Sequence, residues 1–166
     1  MKIEHISKHA QEITEKLLNL QYKEKYKFLF PSGYLSEIES ETGTWCKNGF
    51  AIIDNGIVVG YVTIGITRPT NCVNINNMVL FTNKIKHKIF MNKEITKYIE
   101  MILSEKYFTK IAFCMIVGNP VEKIFDKIIN KYNGKIVGVL EKDSLTRDGI
   151  YRDLKMYEIV NKNFNF

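Results

Sequence analysis

The chain has 166 residues, 45% of them hydrophobic and 25% charged, which suits one domain with a packed core and excludes a disordered chain. The net charge is +6, yet only Arg68, Arg147 and Arg152 supply it as arginine. A charge carried by lysine fits phosphates or an acidic surface, and argues against a dedicated reader of nucleic-acid bases.

The first residues, Met1-Lys2-Ile3-Glu4-His5, lack the basic-then-apolar pattern of a signal peptide, and no run approaches the ~20 apolar residues a bilayer helix needs. A cytosolic location is therefore expected, with no membrane partner. Ser7 is placed to cap a helix, and Ala10, Ile13, Leu17, Leu18 and Tyr22 mark one face of it. The pattern stops at Pro31-Ser32-Gly33. A short second helix is expected from Tyr34 to Ser40, carrying Glu37 and Glu39.

Strands follow. Phe50–Ile53 ends at Asp54-Asn55-Gly56, a hairpin turn signal because Asn and Gly tolerate positive φ. Ile57–Ile64 is the return strand, and a third strand covers Cys72–Phe81. Asn83–Met91 reads as a basic irregular segment. A helix is expected to begin at Asn92, with Ile95, Tyr98, Ile99, Ile102 and Leu103 as its apolar stripe. Lys110–Val117 is a nearly continuous apolar run, as in a strand buried on both faces. Gly118-Asn119-Pro120-Val121-Glu122 is a helix start, with Asn119 as cap, Pro120 at the first helical position and Glu122 closing a capping box. That helix presents Ile124, Ile128, Ile129 and Tyr132 to the core and ends through a left-handed residue at Asn133-Gly134. Strands over Lys135–Leu140 and Ile150–Val160 complete the chain, joined by a turn at Asp148-Gly149.

The three cysteines, Cys46, Cys72 and Cys114, form no CxxC pair, so neither disulfide staples nor a metal site is expected. Cys72 and Cys114 lie in strand-like runs and read as buried small hydrophobes. The element order predicts an α/β fold in one domain over 1–166, with a mixed, mostly antiparallel sheet of six to seven strands and helices on both faces.

That order resembles the GNAT N-acetyltransferase superfamily over most of the chain. The most specific part is Ile111–Val139, IAFCMIVGNPVEKIFDKIINKYNGKIVGV, which looks like the family's fifth strand, Asn-capped fourth helix, Gly turn and sixth strand. The spacing from Asn119-Pro120 to Gly134–Gly138 is also similar to that of GNAT-like proteins of tailed bacteriophages. The resemblance implies acetyl-CoA as cofactor and direct transfer of its acetyl group to a primary amine on a small molecule or protein. It implies that the fourth and fifth strands part, so that backbone groups of Asn77, Met78, Val79 and Leu80 bond the pantetheine arm, with Asn119 beside it. The family's glycine-rich pyrophosphate loop is missing, since no glycine lies between Phe81 and Ile95. Lys86, His87, Lys88, Asn92 and Lys93 are the residues that would meet the phosphates instead.

The family's acid position falls on Asp126, a poor acid at neutral pH with an ordinary pKa. Tyr132 is a second candidate acid, although its place on the apolar stripe also suits a core residue. Asn74 and Asn76 stand where the family often carries a Glu base, leaving Glu37, Glu39, His87 or a water chain as the candidate base. Three readings follow: an active acyltransferase, a GNAT-fold binding or regulatory module without chemistry, and a basic nucleic-acid binder. Assembly is expected to be monomeric or homodimeric.

Overall fold

A computed structural model describes residues 1–20, 28 and 47–165. The expected helix at 34–40, with Glu37 and Glu39, and the position of Cys46 lie outside the described residues. The elements are β1 (Lys2–His5), a 3-10 turn (Ile6–His9), α1 (Ala10–Leu20), β2 (Lys47–Asp54), β3 (Ile57–Thr67), β4 (Cys72–Leu80), α2 (Ile85–Ser104), β5 (Lys110–Ile116), α3 (Glu122–Lys131), β6 (Lys135–Leu145) and β7 (Tyr151–Val160). The strands form one sheet in the order β1-β2-β3-β4-β5-β7-β6. Every neighbouring pair is antiparallel except β4 and β5. This is the mixed, mostly antiparallel α/β architecture expected from the element order.

Local chemistry sets the turns. Asn55 and Gly56 both take positive φ, as a two-residue hairpin between β2 and β3 requires. Asn133 is left-handed after α3, and the Gly134 N–H donates to Ile129 O (2.9 Å), closing the helix end. Two apolar clusters face opposite sides of the sheet. One joins α2 and α3 to β3, β4, β5 and β7 through Met91, Ile95, Ile99, Ile111, Phe113, Phe125 and Tyr157. The other joins α1 to β2 and β3 through Ile13, Leu17, Ala51, Ile53 and Tyr61.

Several expectations need correction. The helix α2 begins at Ile85, so Asn92 lies within it and does not cap it. His87 is buried on the same stripe as Met91, Ile95, Ile99 and Ile102, and a polar residue at that position hides the apolar period in the sequence. The strand β5 is not buried on both faces: Ile111 and Phe113 are buried, whereas Cys114 is exposed. The short β1 also goes unread in the sequence because its four residues alternate charged and apolar beside a better helix signal.

Candidate active site

The ladder between β4 and β5 is short. It pairs Cys72 with Lys110, Val73 with Ile111, Asn74 with Ala112 and Ile75 with Phe113, and then stops. Both strands continue, β4 to Leu80 and β5 to Ile116. The far half of β4 stays bonded to β3, with Asn77 opposite Thr63 and Leu80 opposite Gly60. A bulge marks the point of departure: between Thr63 and Ile64 the register shifts, leaving Asn76 as the extra residue on β4. Beyond Ile75, β4 therefore offers one row of backbone N–H and C=O groups that no β5 ladder bond uses.

Two clefts open at this gap. The first, of about 300 Å³, lies between β4, α2 and the start of α3 and includes Met78, Val79, Leu80, Lys88, Asn92 and Asn119 in its wall. The second, of about 240 Å³, lies on the other side and includes Asn76, Asn77, Cys114, Phe125 and Ser144. Met78, Asn119 and Val121 belong to both walls, so the clefts meet through the opening between the strands.

Asn119 stands at this junction because of its loop. Its Oδ1 accepts from the Val121 N–H (3.2 Å) and its carbonyl accepts from the Glu122 N–H (2.9 Å). It holds the first turn of α3, although the helix proper starts three residues on, at Glu122. The Glu122 carboxylate takes the N–H of Gly118 (2.9 Å) and pairs with Lys155 of β7. The Lys155 ammonium and the Gly118 N–H hold Glu122 below the usual carboxylate range. This lock fixes the β5–α3 turn against β7.

The expected phosphate residues divide. Lys88 and Asn92 face the first cleft, with Thr82 and Asn83 beside them. Lys86, His87 and Lys93 are not in its wall. Lys86 and His87 instead tie the first turn of α2 to the β2–β3 hairpin, donating to Asp54 Oδ2 from Nζ (2.5 Å) and Nε2 (2.8 Å). The Lys86 ammonium, then the His87 contact, hold the Asp54 carboxyl at about 2. Among the described residues no side chain caps α2; the His87 and Lys88 N–H groups turn back to the Lys84 carbonyl, which leaves those of Ile85 and Lys86 for an anion.

The expected acids sit away from both clefts. Asp126 accepts from the Tyr157 hydroxyl (2.9 Å) at the α3–β7 contact, with Lys155 Nζ 3.7 Å away. Burial, then the Asp126 contact, pushes Tyr157 up to about 12. Tyr132 donates to Glu100 Oε1 (2.8 Å), tying α3 to α2. Among the described residues, Lys88 and Cys114 are the only titratable side chains in the two walls. Cys114 is the one sequence reasoning missed; the alternation Ile111-Phe113 against Ala112-Cys114 carried the signal. Among the described residues no cluster of His, Cys, Asp and Glu has the make-up of a metal site, and no helix is long and apolar enough to cross a membrane.

No family model and no curated protein matches the sequence. Solved structures do match in shape. The ribosomal L7/L12 α-N-protein acetyltransferase RimL, in complex with coenzyme A, superposes with a TM-score of 0.71 at 10% identity, covering 98% of this chain and 96% of that one. The spermidine N-acetyltransferase of Vibrio cholerae, in complex with CoA and spermine, gives 0.71 at 15% identity over 98% of this chain and 96% of that one. The ribosomal-protein-S5-alanine acetyltransferase of Vibrio fischeri gives 0.72 at 16% identity over 99% and 94%. At these identities the likeness is one of fold, and the chain has the GNAT fold.

Proposed function

We propose that the chain is an acyl-CoA-dependent N-acyltransferase that binds acetyl-CoA in the β4–β5 cleft and acetylates a primary amine by direct attack. The observation that carries this reading is the ladder that ends at Ile75–Phe113 while both strands run on. A pantetheine arm has amide groups spaced along an extended chain. It supplies what the free side of β4 lacks, bonding as a surrogate strand to backbone groups of Asn77–Leu80. Lys88 and the uncapped start of α2 supply positive charge at the cleft's outer end, where the cofactor's phosphates belong. The matched acetyltransferases whose structures hold CoA support the same cofactor here.

When bound, the thioester provides an activated acetyl group. Transfer would join the amine nitrogen to the acetyl carbon and break the carbon–sulfur bond, the proton given up by the nitrogen being balanced by one taken up by the departing thiolate. The protein's part is positional. Asn119 and Met78 stand where the two clefts meet, so an amine entering past Asn76 and Cys114 reaches the carbonyl from the side opposite the cofactor's arm. Direct attack follows because no Cys–His or Ser–His pair lines the site among the described residues.

A second reading rests on a separate observation. Among the described residues the clefts' walls hold no carboxylate, His or Tyr, so an acid–base pair would come from residues 21–46 or from water. A GNAT-fold module that binds CoA or a partner without turnover fits that wall, and the likeness of residues 119–138 to phage GNAT-like proteins suits such a regulator. The test is calorimetric titration with acetyl-CoA, followed by thiol release across a panel of small amines and N-terminal peptides. Binding with thiol release supports transfer. Binding without release across the panel supports the module, and no binding at millimolar CoA ends both cofactor readings.

A further inference from the structure

The sheet has two edges, and they are built differently. At one edge β1 has four residues, and its Glu4 is engaged by Lys2 and by His9. A short, charged edge strand resists further pairing. At the other edge β6 has eleven residues and, among the described residues, pairs only with β7. Ile136, Val137, Val139 and Leu140 are each between 42% and 49% exposed. The strand carries no proline over this stretch. Its register against β7 slips at Val137 and again after Leu140, where Lys142 takes a positive φ. Lys135–Glu141 is the segment left open between the α3 end and that second irregularity.

This segment reads Lys135-Ile136-Val137-Gly138-Val139-Leu140-Glu141. Read against itself in the antiparallel sense about Gly138, it is self-complementary. Lys135 then faces Glu141 of the partner subunit, Ile136 faces Leu140 of the partner subunit, and Val137 faces Val139 of the partner subunit. Among the described residues Glu141 makes no ion pair within its own chain, while Lys135 reaches Glu158 (3.0 Å) with two-thirds of its side chain still exposed. We propose that β6 is a homodimer interface, in which two copies pair these strands antiparallel about a two-fold axis at Gly138.

The pairing joins two sheets into one continuous sheet. It covers apolar side chains on both faces of β6 and uses the strand's unpaired backbone groups. A second copy is the occupant that the charge order favours, because only an antiparallel copy repeats opposite charges at both ends of the register. The first cleft has no β6 residue in its wall, and the paired segment Lys135–Glu141 ends before Ser144, the β6 residue in the wall of the second, so the pairing covers no residue of either wall.

Light scattering coupled to size exclusion tests the proposal, using the full chain at tens of micromolar. The expected result is a dimer that becomes monomeric in Val137→Lys/Val139→Lys without a lowered melting temperature. Glu141→Lys, which sets like charges opposite each other, is expected to weaken dimerisation at least tenfold at low salt, and less at high salt. A Gly138→Cys variant tests the register. Opposed residues in an antiparallel pair lie about 4.5–5.5 Å apart at Cα, inside the range for a disulfide. A Cβ at Gly138 meets only the mobile end of Met156, at 3.3 Å. Mild oxidation is expected to give a covalent dimer in this variant and not in the wild type. A wild-type monomer under these conditions, or a dimer indifferent to both the lysine pair and Glu141→Lys, overturns the proposal. A dimer dissolved by those variants but never cross-linked at Gly138→Cys overturns the two-fold at that residue.

Discussion

Ile75 and Phe113 are the last residues that β4 and β5 share, and Asn76, immediately beyond, is the residue that the bulge leaves without a partner on β3. The two irregularities act together. The bulge twists β4 away from β5 at the point where the ladder would otherwise continue. Everything proposed for the site depends on that divergence.

Asn119 offers the cleanest separation of folding from binding. Its Oδ1 caps the Val121 N–H, and its amide nitrogen remains for the cleft. Asn119→Asp keeps the cap oxygen and removes the donor. It is expected to leave the melting temperature within a degree or two while weakening acetyl-CoA several-fold by calorimetry. Asn119→Ala loses both functions and is expected to cost about 1 kcal/mol of stability as well. Equal affinity in wild type and Asn119→Asp would remove Asn119 from the cofactor arm.

Among the described residues Lys88 is the only lysine in the wall of the first cleft, and its role there is electrostatic. Lys88→Ala is expected to weaken CoA by roughly tenfold at low salt, in line with about 1.5–3 kcal/mol for a charged hydrogen bond less solvent screening. The loss should shrink as salt rises. Binding of a pantetheine fragment that lacks phosphates should be unchanged. Lys93→Ala, outside the wall, serves as the control and should bind CoA as the wild type does.

How much of this was legible beforehand follows the physics of each signal. Local turn chemistry carries well at Asn55-Gly56 and Asn133-Gly134, whereas at Asn119-Pro120 only the Asn119 cap holds: the helix proper starts at Glu122, and the Glu122 carboxylate takes the Gly118 N–H instead of closing a box on Asn119. The parting of β4 from β5 was reachable only through the family resemblance, because nothing in the apolar pattern of Cys72–Leu80 or Lys110–Ile116 encodes which ladder bonds form. The start of α2 was misplaced because His87 interrupts the apolar period. Its burial depends on Asp54, a residue 33 positions earlier, which no local window contains. Cys114 was read as core because an apolar run looks the same whether one face or both are covered.

That Asp54 contact has a pH signature. Lys86 and His87 hold the Asp54 carboxyl at about 2, against an ordinary value of 3.8. A carboxylate whose folded pKa is depressed binds protons more readily in the unfolded chain. Its contribution is therefore complete above about 4 and lost as pH falls through about 2. Asp54→Asn should melt lower than the wild type at neutral pH, and the difference should vanish as the wild type is titrated from pH 4 towards pH 2. Because the contact anchors the first turn of α2 beside Thr82 and Asn83, Asp54→Asn should also weaken CoA at neutral pH. A melting difference that persists unchanged to pH 2 would assign the effect to packing.

Gly60 tests whether the position of β4 matters. It lies on β3 opposite Leu80, under α2. A Cβ there would sit 2.7 Å from Val79 O, 2.8 Å from Leu80 Cδ2 and 3.0 Å from Met91 Cε. The nearest atom is backbone and cannot swing aside, so Gly60→Ala must push β4 outward or α2 away. Overpacking of this kind costs about 1–3 kcal/mol. The shift acts on Val79 and Leu80, both in the wall of the first cleft, so the melting temperature and CoA affinity should fall together. Gly138→Ala, which meets only the tip of Met156, should alter neither.

Cys114 decides whether the second cleft receives the amine. Its side chain lies in the wall of that cleft and not of the first. Although Cys114 is exposed at the surface, partial desolvation by the surrounding walls and then the Asp143 charge hold its thiol above the ordinary value. Cys114→Trp places a large ring in a space of about 240 Å³ and replaces no residue of the first cleft's wall. If the acceptor approaches from this side, the variant binds acetyl-CoA with wild-type affinity but loses thiol release, through a raised KM for the amine or a collapse of kcat. Cys114→Ser, which keeps the volume, should retain activity, because the proposed transfer uses no covalent step on sulfur. Loss of activity in Cys114→Ser with CoA binding intact would point to a chemical role for the thiol. Full activity in Cys114→Trp would place the acceptor elsewhere.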